Sequence, residues 1–254
     1  MKLDLGNPKT THETNILEIE VPDELRKKVK SGISYVDDAL GGTTKRNAGA
    51  GITPSTVVFF TGGPGSGKTT QMMQLADSCT GNGHLAVFNT NEQSLYQVKL
   101  IAERLKLRDG FICNSESQVS KLFAQMDDLR TLHPDKHIFL FQDSLQTLAD
   151  PKYDHDPTYS NGKTPERALA AIASYAKKHY IIPFIIGQVN KDGNFAGNNK
   201  LLHMVDTHMH LYVDDDPQAH EDERLFEVRK NRFGCSGIAY TLMMGEKGLR
   251  EKTG

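Results

Sequence analysis

The sequence predicts an α/β fold: a mostly parallel β-sheet flanked by helices, with an antiparallel C-terminal extension. Three observations predict it. Unbroken apolar runs alternate with helical stretches between residues 56 and 190, the pattern of parallel strands covered on both faces. A glycine-rich loop joins the first of these runs to a helix. From residue 207 onward the apolar stretches are separated by short turns, as antiparallel strands are.

In chain order, residues 1–22 are polar and irregular, and DELRKKVK (23–30) reads as a short basic helix. SGISYVDDALGG (31–42) opens a second helix, with Ser34 and Asp37 at capping-box spacing and Gly41 and Gly42 as its stop. A polar loop leads to the strand TVVFFTG (56–62) and the helix KTTQMMQLADSCTG. LAVFNTN (85–91) is a strand followed by a helix over 93–107. A helix over 117–132 precedes the strand HIFLFQDS (137–144). TPERALAAIASYAKKH precedes the strand YIIPFIIGQVN (180–190). THMHLYVD, LFEVRKNRF and GIAYTLMMG supply the antiparallel tail, and the acidic run 214–224 is a solvated hairpin loop between two of them.

Composition narrows the function. Thirty Lys and Arg stand against 32 Asp and Glu, a formal charge of −2, so nucleic-acid binding requires a local patch. Cys79, Cys113 and Cys235 form no metal-type or redox-type pair, which suits a reducing, cytoplasmic setting. No stretch has the length of a membrane span or the apolar core of a signal peptide. His203, His208 and His210 lack helpful carboxylate or cysteine spacing and are not assigned a metal.

The chemistry concentrates in GGPGSGKTT, where Gly62, Gly67, Lys68 and Thr69 fit G-x-x-x-x-G-K-[ST] between a strand and a helix. Gly62, Gly63, Pro64, Gly65, Ser66 and Gly67 turn backbone N–H groups towards phosphate oxygens, and Lys68, Thr69 and Thr70 open the helix. Lys68 charges the β/γ-phosphates of a nucleotide such as ATP, and the Thr69 hydroxyl is a ligand for Mg²⁺. Asp143 ends an apolar strand at the ligand-binding edge of the sheet and is the second Mg²⁺ ligand. Glu92, after the second strand, orients or deprotonates water. Gln188, at the end of YIIPFIIGQ, is an amide placed to sense the γ-phosphate. In VRKNRFG (228–234), Lys230 and Arg232 are two residues apart in a strand and share a face.

SGISYVDDALGG, GGPGSGKTT, NEQSLYQVKLIAERLKL, FQDSLQTL, GQVNKDGNFAGNNKLLHMVDT and RKNRFG occur in that order. From about residue 31 to residue 250 the chain thereby resembles bacterial RadA (Sms), a RecA-like DNA repair and branch-migration ATPase. The resemblance implies a RecA-like P-loop core over 31–254 with an N-terminal extension over 1–30. It makes Glu92 the catalytic carboxylate. Residues 150–165 and 191–200 become DNA-facing loops, with Lys191, Asn194, Phe195 and Lys200 as contacts for single-stranded or branched DNA. It places Lys230 and Arg232 at the interface of a homo-oligomer, a hexameric ring or a helical filament, where they reach a neighbour's ATP. The family's four-cysteine zinc module and Lon-protease-like domain have no counterpart in these residues, and Gln142 stands where an apolar residue is usual. Two further readings share the core: a replicative-helicase-like motor, and a clock-protein-type ATPase that does not act on DNA.

Overall fold

The run TVVFFTG forms strand β1, Val58–Gly62, every residue of it buried. The computed structural model describes residues 15–42, 51–149, 163–188, 200–213 and 219–252. Alternate residues of β1 enter different cores. Phe60 packs with Val36, Met72 and Leu75, whereas Phe59 packs with Leu169, Ile172 and Leu201. A strand apolar at successive positions therefore needs a layer of helices on each face.

Those layers are present. Helices α2 (Ser34–Gly41), α3 (Lys68–Gly81) and α4 (Leu95–Leu105) feed the first core. Helices α5 (Val119–Leu132), α6 (Thr164–His179) and α7 (Lys200–Met204) feed the second. Between them lie β1, β2 (Leu85–Thr90), β3 (Ile112–Asn114), β4 (Ile138–Asp143), β5 (Ile182–Gln188), β6 (Thr207–Val213), β7 (Glu223–Asn231), β8 (Ile238–Gly245) and β9 (Gly248–Glu251). They make one sheet in the order β3-β2-β4-β5-β1-β6-β7-β8-β9. Pairings from β3 through β6 are parallel, and β6–β7, β7–β8 and β8–β9 are antiparallel. The predicted architecture is the one observed.

Register brings the candidate residues to one edge. Gly62 pairs with Gln188, and Thr90 pairs with Asp143. The carboxyl ends of β1, β2, β4 and β5 therefore border one crevice, the place where open α/β sheets bind ligands.

Several elements differ from expectation. The basic helix is one turn, α1 (Asp23–Arg26), because Val29 leaves it to bridge Ile52 and is buried. β3 was not expected; three partly exposed residues carry too little periodicity to read. β9 was also missed, although two glycines frame its turn and Gly248 takes a φ of 92°. The capping box lies at Ser94 and Gln97 on α4, not at Ser34. α2 begins after Ile33 with no side-chain cap. Asp37 reaches back past the helix start to accept from the backbone N–H of Ser31 (2.7 Å) and Gly32 (3.3 Å).

Burial raises the pKa of Asp37, against those hydrogen bonds that favour its anion. Asp37→Ala would leave the buried Ser31 N–H without its partner and is expected to cost about 1–3 kcal/mol. Asp37→Asn, which still accepts one bond and sheds the buried charge, should lose less. Urea unfolding of the two variants checks this, and equal losses would contradict it.

Candidate functional site

The loop after β1 turns by backbone conformations open to glycine. Gly65 and Gly67 have φ of 75° and 103°, the left-handed region that other residues enter at a cost. α3 starts immediately at Lys68, so its first N–H groups point at the loop. The buried Ser66 Oγ has no hydrogen-bond partner in the protein. A cleft of 310 Å³ opens here, lined by Gly62, Pro64, Lys68, Thr69, Glu92, Asp143, Ser144 and Ile186. A hollow of 540 Å³ near Lys27, Arg130 and Lys136 is larger, but it contains neither this loop nor the carboxylates.

Lys68 Nζ donates to the carbonyls of Gly62 and Gly63, both at 2.8 Å. Burial lowers its pKa, while Asp143 and Glu92 act the other way. Thr69 Oγ1 donates to Asp143 Oδ2 at 2.8 Å. Two hard oxygen donors converge there, a set that suits Mg²⁺ and leaves room for phosphate oxygens and water. Burial pushes the Asp143 carboxyl up to about 6; Glu92 adds to this, and Thr69 and Lys68 oppose it.

Glu92 follows β2, with its backbone N–H on Thr90 Oγ1 at 3.3 Å. Its Oε1 accepts from Ser144 Oγ at 2.5 Å. Ser144 was absent from the sequence-based set, and it fixes the distance between the two carboxylate-bearing strand ends. The signal was available: a hydroxyl directly after the strand-terminal acid.

Gln142, out of place in an apolar strand, is paired at both ends of its amide. Oε1 accepts from Asn89 Nδ2 at 2.7 Å, and Nε2 donates to Ser144 O at 2.9 Å and Thr147 Oγ1 at 3.3 Å. Asn89 also bonds both backbone groups of Glu116, donating at 2.8 Å and accepting at 2.9 Å. These buried amides lock β2 against β4 just below Glu92 and Asp143.

The structure thus gathers Gly62, Pro64, Lys68, Thr69, Glu92 and Asp143 in one cleft. Gly63, Gly65, Ser66, Gly67 and Thr70 lie in the same loop and first helical turn. Gln188 ends β5 beside Gly62. Lys230 and Arg232 are not in the cleft; their nitrogens contact residues 202–206 of their own chain. Arg232 lies one residue beyond β7, which runs between β6 and β8. Lys200 is exposed and begins α7. Lys191, Asn194 and Phe195 lie outside the described residues. His208 and His210 flank Thr61, whose Oγ1 is 2.8 Å from His208 Nε2 and 2.7 Å from His210 Nδ1. Burial, aided by Arg229, lowers both imidazoles to about 4.

A KaiC-like protein of Pyrococcus horikoshii superposes with a TM-score of 0.69 at 17% identity, covering 89% of this chain and 99% of that one. The fold is that of a RecA-like ATPase domain. A second solved ATPase domain matches this RecA-like fold with a TM-score of 0.72 at 15% identity, over 89% of this chain and 90% of its own. Among curated proteins, the RecA-like chain is similar to "DNA repair protein RadA" of Listeria monocytogenes, 29% identical over 235 residues, 91% of this chain and 47% of the relative. The protein of the same name from Bacillus subtilis is 29% identical over 93% of this chain and 47% of its own length. The chain therefore spans about half the length of the curated relatives it matches. No protein-family model matches it. Among the described residues, no helix is long and apolar enough to cross a membrane.

The Asp143 environment sets a stability trade. Its folded pKa of about 6 exceeds the ordinary 3.8. The folded chain holds the proton that the unfolded chain has lost, so stability falls as pH rises through that window and stays lower above it. Asp143→Asn is therefore expected to be more stable than wild type near neutrality, by about 1–3 kcal/mol. That difference should vanish near pH 4. Mg²⁺ should raise the melting temperature of wild type and not of the variant. Scanning calorimetry at both pH values, with and without Mg²⁺, tests the account.

Proposed function

We propose that this chain is an ATP-hydrolysing motor domain that binds single-stranded or branched DNA and works as a homo-oligomer in recombination or repair. The observation that carries the ATPase reading is the convergence of Lys68, Thr69, Glu92 and Asp143 on one cleft of a RecA-like sheet. The loop N–H groups and Lys68 hold the nucleotide phosphates. Thr69 and Asp143 hold Mg²⁺, which when bound neutralises charge on phosphate oxygens. Glu92, fixed by Ser144, orients the attacking water and accepts its proton. Gln188, on the neighbouring strand end, reports the γ-phosphate to the residues that follow it in the chain.

The DNA reading is supported by the similarity to proteins named for DNA repair and by the sequence of residues 191–200, with Lys191, Asn194, Phe195 and Lys200 as contacts. The KaiC-like neighbour shares the fold, so the competing reading is an ATPase indifferent to DNA. ATPase rates with and without single-stranded DNA separate the two. A forked-duplex unwinding assay beside a three-stranded branch-extension assay separates a helicase from a branch-migration motor.

Lys68→Ala should abolish most ATP binding, and Glu92→Gln should bind ATP and lose turnover. Equal losses of binding in both would make Glu92 structural. Replacing Lys191 and Lys200 with Ala should weaken DNA binding and flatten its salt dependence, by a slope of about 0.7 per lost phosphate contact. Fluorescence anisotropy at several salt concentrations reads both, and an unchanged slope removes these lysines from the DNA surface.

A further inference from the structure

The KNRFG stretch makes contacts that an interface role alone does not require. Lys230 Nζ donates to the carbonyls of Leu202 and Val205, both at 2.7 Å. Arg232 donates from Nη2 to His203 O at 3.3 Å and from Nη1 to Asp206 Oδ1 at 3.1 Å. Asp206 Oδ2 in turn accepts from the Val57 N–H at 3.0 Å, at the foot of β1. These carbonyls belong to the last turn of α7 and the residue after it, where helical N–H donors run out. Cationic side chains are suited to that position. Burial and Arg232 lower the Lys230 pKa, with Asp206 opposing them.

Asn231, between the two cations, points to the opposite face of the sheet. Its Nδ2 donates to Ala39 O and Leu40 O, both at 3.1 Å, which are the last-turn carbonyls of α2. Its Oδ1 accepts from the Phe233 N–H at 3.0 Å. The Cys235 N–H continues the contact, donating to Gly42 O at 3.2 Å. Gly234 is needed for space: a Cβ there would lie 2.7 Å from Asn231 Nδ2 and 2.8 Å from Gly42 O.

We propose that KNRFG is a two-sided clamp on helix ends, with Lys230 and Arg232 positioning α7 and Asn231 positioning α2, and that a phosphate group on a second copy of this chain competes with α7 for the two cations. The competition step rests on the oligomeric ATPase reading above; the clamp does not. Lys230 and Arg232 cannot saturate their donors on the α7 carbonyls and on a phosphate together, so recruitment by a neighbour frees the end of α7. Lys200, the first residue of that helix, moves with it. Nucleotide state at one junction would then be felt at a proposed DNA contact through one short helix.

Hydrogen exchange read by mass spectrometry tests each arm. In the nucleotide-free chain, Lys230→Met should speed exchange over residues 200–206 by about tenfold and leave 34–42 unchanged. Asn231→Ala should do the reverse, and Lys230→Arg should retain protection. Uniform change across the chain, or none at either helix, overturns the clamp. Wild type assembled with Mg²⁺ and a non-hydrolysable ATP analogue should exchange over 200–206 as fast as Lys230→Met. Lys68→Ala under the same conditions should not. Assembled, nucleotide-bound wild type with unchanged exchange at 200–206 overturns the competition. Chains that bind the analogue and stay monomeric overturn the oligomer reading and the competition with it, while the nucleotide-free comparison still decides the clamp.

Discussion

Gly62 has no room for a side chain. A Cβ at that position would lie 2.2 Å from the carbonyl oxygen of Leu211 and 2.7 Å from Ser66 Oγ. This closeness lets β1 run its full length against β6 and still release the chain into the phosphate-binding turn. Most of the molecule hangs on that contact. On one side, β1 sets the register of β5, and through it of β4 and β2, whose ends carry the carboxylates. On the other side, β6 sets β7, and β7 delivers the clamp residues to the ends of α7 and α2. A glycine commonly explained by the ligand is equally required by the sheet.

The sheet and cleft were legible because they obey local rules. Apolar runs such as VVFF and IFLF must be buried on both faces, and G-x-x-x-x-G-K-T carries its mechanism in its spacing. What escaped the sequence is nonlocal. Ser144 matters because Glu92, 52 residues earlier in the chain, comes within hydrogen-bond reach of it. Gln142 seemed a blemish in an apolar strand until Asn89 was seen to satisfy it. The two cations were correctly placed on one face, yet their nearest partners are the carbonyl ends of α7, a five-residue helix that periodicity cannot register. Asp37 was expected to serve one helix cap and instead ties down the chain segment before it.

The buried amides and the buried acid play opposite energetic roles. Asn89 and Gln142 are fully paired, so they order β2 and β4 without a desolvation debt. Asp143 sits two residues from that network and remains partly uncompensated, which is what raises its pKa. The scaffold is thus rigid up to the cleft and electrostatically strained within it, an arrangement suited to gaining energy when a cation arrives.

Gln74, on α3, presents its side-chain amide to the last strand of the sheet. Its Oε1 accepts from the Leu249 N–H at 2.8 Å, and its Nε2 donates to Leu249 O at 3.1 Å and to Lys247 O at 3.2 Å. A side chain here imitates the edge of a neighbouring strand. Gly248 permits the approach, since a Cβ there would strike that amide at 2.6 Å. Exposed strand edges invite pairing with foreign chains. At this border the invitation is partly withdrawn by one glutamine, and at the other border β3 offers three residues. The sheet therefore ends on both sides without a long free template, which favours contacts through loops and helix ends over strand-to-strand aggregation.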